Sequence, residues 1–346
     1  MTLAERQRAL GAALANDGIP LHFGDQAREY HAALEAAVLM DRSHEGRLRL
    51  SGQDRLNIMH RISTNDLLSL EIGHGRPTVF TNPNARILDR AIVCRTDEDA
   101  ALVLTEPGRG EALKAYLGRN VFFNDELKIT DLTPETRQFV LHGATADAVI
   151  GQVSPGTAAL PIYGVRTLED AIIVRDQPLS GSHWRVIVPT SVAAAWWDRL
   201  LAAGERHGLI PAGSLTYNVL RISAGRPGVG RELSTDYIPL EVGLWDEVNF
   251  KKGCYTGQEI IARMESRGRL AKTIAALSLA APVTAPAPLT RDGREIGTLT
   301  SAVTTPDGEH VGIGVIKLAL ATPGQVLSAN GIDVTITRLL GAQPPA

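Results

Sequence analysis

The stretch "KGCYTGQE" (residues 252–259), continued by "IIARMESRG" (260–268), decides how the chain is read. Thr256, Gly257, Gln258 and Glu259 match the S/T-x-x-E capping box, which makes Thr256 the N-cap and Glu259 the third helical residue. The helix then runs through "IIARMES" with Ile260, Ile261 and Met264 on its buried side. Arg263 and Arg267 follow Glu259 at steps of four, where ion pairs form across helical turns, and Gly268 is a natural stop. One complete reading of the segment is a capped amphipathic helix with no further role.

The stretch also carries Cys254, one of only two cysteines. It precedes the cap by two residues, beside the positive end of the helix and next to Lys251 and Lys252, and both influences favour thiolate over thiol. If exposed, Cys254 is a candidate nucleophile or redox group; if buried, it is a small inert apolar residue. Residues 251–272 hold six Lys/Arg against two Glu, a patch suited to an anionic ligand or simply to a solvated face. A metal site is not expected: zinc and iron–sulfur sites draw on about four ligands in tight pairs, Cys94 lies far away, and no C-x-x-C or H-x-x-x-H is present.

Outward from this segment, the 346 residues are 44% hydrophobic and 21% charged with net charge −3, the balance of a water-soluble globular chain of two or three domains. Such a charge argues against wholesale binding of nucleic acid or anionic membrane. Two distant cysteines suit a reducing compartment, read here as the cytoplasm. The N-terminal "MTLAERQRALGAALANDG" lacks the apolar core of a signal peptide, and runs such as "SVAAAWW" are far below the roughly 18 residues of a membrane span.

Helices are expected over 2–16, 25–40, 53–63, 108–118, "ATADAVIG" and 191–203. Strands are expected at "GRLRLSG" (46–52), across 76–106, at "LKITDL" and "RQFVLHG", and near 163–167, 171–175 and 183–189. Strand–strand–helix runs of this kind indicate α+β rather than a doubly wound parallel sheet. The Ala/Pro-rich "SLAAPVTAPAPLT" (278–290) is the clearest break in composition and reads as extended linker or strand edge. Beyond it, short strands with Asp-Gly and Asn-Gly turns mark residues 271–346 as a small all-β, barrel-like domain. The glycines of "SAGRPGVGRE" (223–232) spell no dinucleotide fingerprint and fit a tight turn; no Walker A or G-x-S-x-G motif occurs.

The signature "KGCYTGQE" with Arg263 and Gly268 resembles that of the YgfZ family. "DRSHEGRLRLSGQDRLNIMHRISTNDL" and "FTNPNARILDRAIV" resemble landmarks of the related glycine-cleavage T-protein (GcvT). The resemblance spans about residues 20–340. It implies an α+β, multidomain GcvT/YgfZ-like ring around a central channel. Two intertwined subdomains would lie in 1–270, signature included, with the barrel in 271–346. It further implies a role in assembling or maintaining iron–sulfur proteins, tRNA-modifying enzymes among them as clients. Tetrahydrofolate is the implied cofactor and Cys254 the reactive group, with Lys252, Gly253, Tyr255, Thr256, Gly257, Gln258 and Glu259 shaping its pocket. A folate-dependent aminomethyl or one-carbon transferase, or demethylase, and a non-enzymatic protein-binding scaffold are the alternatives. Two positions depart from the T-protein. Arg90 stands where the resemblance places the catalytic carboxylate, and Ser223 where it places a pterin-binding glutamate; neither supplies a charged acceptor.

Overall fold

The computed structural model describes residues 1–267 and 270–341. Its helices are α1 (Leu3–Ala9), α2 (Gln26–Glu35), α3 (Arg55–Ile62), α4 (Gly110–Arg119), α5 (Ala146–Val153), α6 (Ala193–Gly204), α7 (Ser214–Ala224) and α8 (Gln258–Arg267). The chain divides into two units: residues 1–58, 67–76 and 91–220, and residues 59–66, 77–90 and 221–346. The strands His74–Thr81 and Ile87–Arg95 belong to a five-stranded sheet.

The first unit is organised by a six-stranded sheet in the order Val165–Thr167, Ile172–Asp176, Ser182–Pro189, Thr136–Gly143, Ala37–Asp41, Leu209–Pro211. Only the last pair is parallel. Side chains alternate across a strand. Leu39, Phe139, Leu141 and Trp184 therefore face α5 and α6, where Trp197 and Leu200 close the core. Val38, Met40 and Val140 face Tyr30 of α2 and Leu220 of α7. Between strands, Glu45 accepts hydrogen bonds from Arg42 (2.8 Å) and Gln138 (2.6 Å) and is paired with Arg185, whose Nε also donates to Asp176 at 2.6 Å. Paired and fully buried, this carboxyl stays ionised far below its usual range.

Two expected helices are shorter than their patterns suggest. α1 ends at Ala9, because Gly11 turns the chain at φ +92° and Ala13–Leu14 pairs with Pro20–His22. α2 ends at Glu35, and the apolar run Ala37–Asp41 is a strand buried along its whole length. A short continuous apolar run fits a fully covered strand as well as a helix, and periodicity alone does not separate them.

In the second unit, six strands close into a barrel: Lys272–Leu279, His310–Lys317, Arg294–Thr304, Ala287–Arg291, Val326–Ala329 and Ile332–Leu339. The fold is α+β with a C-terminal all-β barrel, as the sequence suggests. The Ala/Pro-rich break lies inside this barrel, joining its strands Lys272–Leu279 and Ala287–Arg291, and is not a linker between domains. Asp292-Gly293 and Asn330-Gly331 all take positive φ, the geometry of tight hairpin turns. Buried Glu232 fastens the preceding glycine-rich loop to the barrel. It accepts from the amide of Gly228 (2.8 Å) and the hydroxyl of Ser301 (2.8 Å) and pairs with Arg221.

Candidate functional site

The signature segment lies wholly in the second unit. It leaves a short 3-10 turn, Trp245–Glu247, and begins with an Asn249 side chain that accepts the amides of Lys251 (2.8 Å) and Lys252 (2.9 Å). This Asx turn fixes where Lys252 points. Its ammonium donates to the carbonyls of His60, Ser63 (2.6 Å) and Asn65 (3.1 Å), at and just beyond the C-terminal end of α3. The orphan carbonyls of a helix C-terminus are a natural seat for a cation. Burial pulls the Lys252 ammonium down to about 8, against the favourable charge of Asp66. Its three N–H donors are occupied, so Lys252 anchors the loop from beneath rather than extending toward an anionic ligand.

After Lys252 the chain surfaces and dips again. Gly253 has open space around it, and Cys254 is exposed. Tyr255 is buried among Ala85, Leu240, Trp245 and Ile261, with the Lys252 ammonium 5.0 Å from its ring centre; burial pushes its phenol up to about 12. The carbonyl of Thr256 accepts the Thr81 hydroxyl at 2.5 Å. Gly257, at φ +85°, passes so close to the 82–85 turn that a Cβ would meet the carbonyl of Asn82 at 2.8 Å. Cys254 is thus a solvent-facing thiol on a loop pinned on both sides.

The capping box does not form as expected. α8 begins at Gln258, and the first helical hydrogen bond runs from the Ile261 amide to the Gly257 carbonyl. Gly257 takes the cap position because only its backbone permits the positive φ that the close approach to the 82–85 turn requires. Glu259 is left exposed on the first turn, paired with Arg263 at 2.5 Å on the surface. Ile261 is buried, with Ile260 and Met264 packed beside it as expected. Gln258 is half-buried. Gly268 and the side chain of Arg267 lie outside the described residues.

Arg90 is buried on the strand Ile87–Arg95. Its Nε lies 2.8 Å from both carboxylate oxygens of Glu247, and Nη2 is 2.7 Å from Oε1. Glu247 precedes the signature loop directly, and its backbone carbonyl accepts the Thr64 hydroxyl at 2.6 Å. The pair therefore ties the root of the loop to the strand. Ser223 lies near the end of α7, exposed. Sequence reasoning passed over Glu247; the faint signal was an acidic residue within the apolar "LWDEVNF". Among the described residues no group of three or more His, Cys, Asp and Glu is arranged to hold a metal ion, and no helix is long and apolar enough to cross a membrane.

Residues 5–252 match the family model described as the GCVT N-terminal domain. The chain is 31% identical to a chloroplastic protein of Arabidopsis thaliana named as a candidate transferase, over 97% of this chain and 79% of that one. It is 27% identical to an aminomethyltransferase of Symbiobacterium thermophilum, over 96% of this chain and 92% of that one. The fold matches the crystal structure of the glycine cleavage system aminomethyltransferase T of Bartonella henselae with a TM-score of 0.87, at 22% identity, over 99% of this chain and 98% of that one. A β-barrel-bearing α+β chain with these matches is a member of the GCVT family, to which this protein belongs.

Proposed function

We propose that this GCVT-family chain is a YgfZ-type accessory protein in the assembly or maintenance of iron–sulfur proteins, tRNA-modifying enzymes among its clients, acting in the cytoplasm with Cys254 as the reactive group. The observation that carries this reading is the exposed Cys254 thiol within "KGCYTGQE", on a loop braced by Lys252, Thr81 and Gly257. An accessible cysteine sulfur is a nucleophile and a soft ligand. Bracing holds it outward without ordering a floppy loop at each encounter.

Tetrahydrofolate is the cofactor the family implies. At the two positions the resemblance assigns to it, the residues do not fit those roles. Arg90 is a permanent cation bound to Glu247, and Ser223 offers only a hydroxyl. Arginine neither takes nor relays a proton at neutral pH, so we route no step through folate. The test is complementation of a deletion strain. Cys254→Ala is expected to leave the cluster-dependent enzymes uncorrected while accumulating as folded protein; full rescue by that variant removes Cys254 from the mechanism.

A second reading, a folate-dependent one-carbon transferase, is favoured by the family match and the names of the relatives. Titration with tetrahydrofolate separates the two: tight binding with formaldehyde-coupled turnover supports the transferase. A non-enzymatic scaffold predicts that partner binding survives the loss of Cys254.

A further inference from the structure

The first unit contains a cavity of about 530 Å³ that neither the signature segment nor Arg90 enters. Its lining includes Asp41 and Arg137 from the six-stranded sheet and Ala193 and Ala194 from the start of α6. Asp41 is in register with Phe139 on the neighbouring strand, and Arg137 lies two residues before Phe139. Both therefore share the sheet face that packs on α6. Past the last core side chains that face becomes charged. Residues of α1, residues 17–19 and the chain entering α6 complete the lining.

Besides Asp17 and His44, the lining carries two charged side chains that make no ion pair among the described residues. Asp41 is 5% exposed, yet it is held only by neutral donors: Gln7 Nε2 at 2.9 Å, Ser43 Oγ at 2.6 Å and the Ser43 amide at 3.0 Å. Among the described residues it makes no ion pair. Arg47 and His44 lie close enough to act on its charge without bonding to it, and three donors leave one of its roughly four acceptor positions open. Arg137, also lining the cavity, makes no ion pair or side-chain hydrogen bond among the described residues. Thr190 and Ser191 also line the cavity; they belong to a 3-10 turn, Thr190–Val192, that runs directly into α6, so the positive pole of the combined helix falls at these residues. Leu3 and Ile19 add apolar lining.

We propose that this cavity binds an aliphatic amino acid or short peptide as a zwitterion, its ammonium on Asp41 and its carboxylate on Arg137 and the start of α6. An apolar chamber with a few convergent polar groups is the usual form of a small-molecule site, and the volume falls within the range such sites occupy. The site is independent of Cys254 and of the function proposed above. L-leucine and leucyl-leucine are the probes, titrated calorimetrically into the full chain. At least one is expected to bind with Kd below about 1 mM. Binding should weaken at least about tenfold on acetylating the amine or amidating the carboxylate, because each removes one charge contact. Arg137→Gln, at a partly exposed position, should weaken binding by a similar factor with an unchanged circular-dichroism spectrum; Asp41→Asn is the second variant. Absence of binding by both probes up to about 10 mM, or equal binding of the blocked analogues, overturns the proposal.

Discussion

The two cysteines occupy opposite surroundings. Cys94 is fully buried on the strand Ile87–Arg95, among Ile92, Leu102, Leu104 and Val174, and burial pushes its thiol up to about 12. Cys254 is exposed on a loop, beside a glycine with nothing near it. The exposed one is not on a loose segment, however. Lys252, Thr256 and Gly257 tie down the residues on either side of it. Accessibility and backbone anchoring, which seldom coincide on a surface loop, meet at Cys254, whereas Cys94 is anchored in a sheet and shut off from solvent.

The sharpest test of that contrast is thiol labelling. In native buffer one equivalent of a small disulfide reagent should react, all of it at Cys254. Cys94 should react at least about 10³-fold more slowly, since it needs an opening of roughly 5 kcal/mol. Comparable rates would erase the difference between the two sites. Next in size is the root of the loop. Arg90→Ala leaves Glu247 buried without its cation and should cost about 3–5 kcal/mol in chemical denaturation. The double variant Arg90→Ala/Glu247→Ala should recover part of that loss, and no recovery would mean the pair does not act as a unit.

The two glycines of the signature then separate bracing from openness. Gly257→Ala forces a Cβ against Asn82 at positive φ and should cost on the order of 1–3 kcal/mol. Gly253→Ala meets nothing within 4 Å and should change stability by less than about 0.5 kcal/mol. Equal effects would show that the close approach at Gly257 is not what pins the loop. The smallest effect belongs to the surface pair: Glu259→Gln should alter stability by no more than about 0.5 kcal/mol, and less at high salt.

Much of this was legible from local pattern. The barrel hairpins announce themselves through Asp292-Gly293 and Asn330-Gly331, because few residues other than Gly, Asn and Asp accept positive φ. The buried face of α8 follows from the spacing of Ile260, Ile261 and Met264. The strand Ala37–Asp41 was not legible, since burial on both faces erases the alternation that distinguishes a strand. The helix start at Gln258 rather than at Thr256 was hidden as well. It depends on a turn some 170 residues earlier in the chain pressing against Gly257.

The sequence alone determined the α+β class with its terminal barrel and the chemically distinctive segment around Cys254, because turn residues, periodicity and contiguous motifs are local properties. The tertiary structure alone decided that Lys252 grips three carbonyls near the end of α3, that Arg90 meets Glu247 across 157 positions, and that Cys254 faces solvent while Cys94 does not. Each of these depends on which distant backbone a side chain meets once the chain has closed, and charge, burial and hydrogen bonding are set by that encounter.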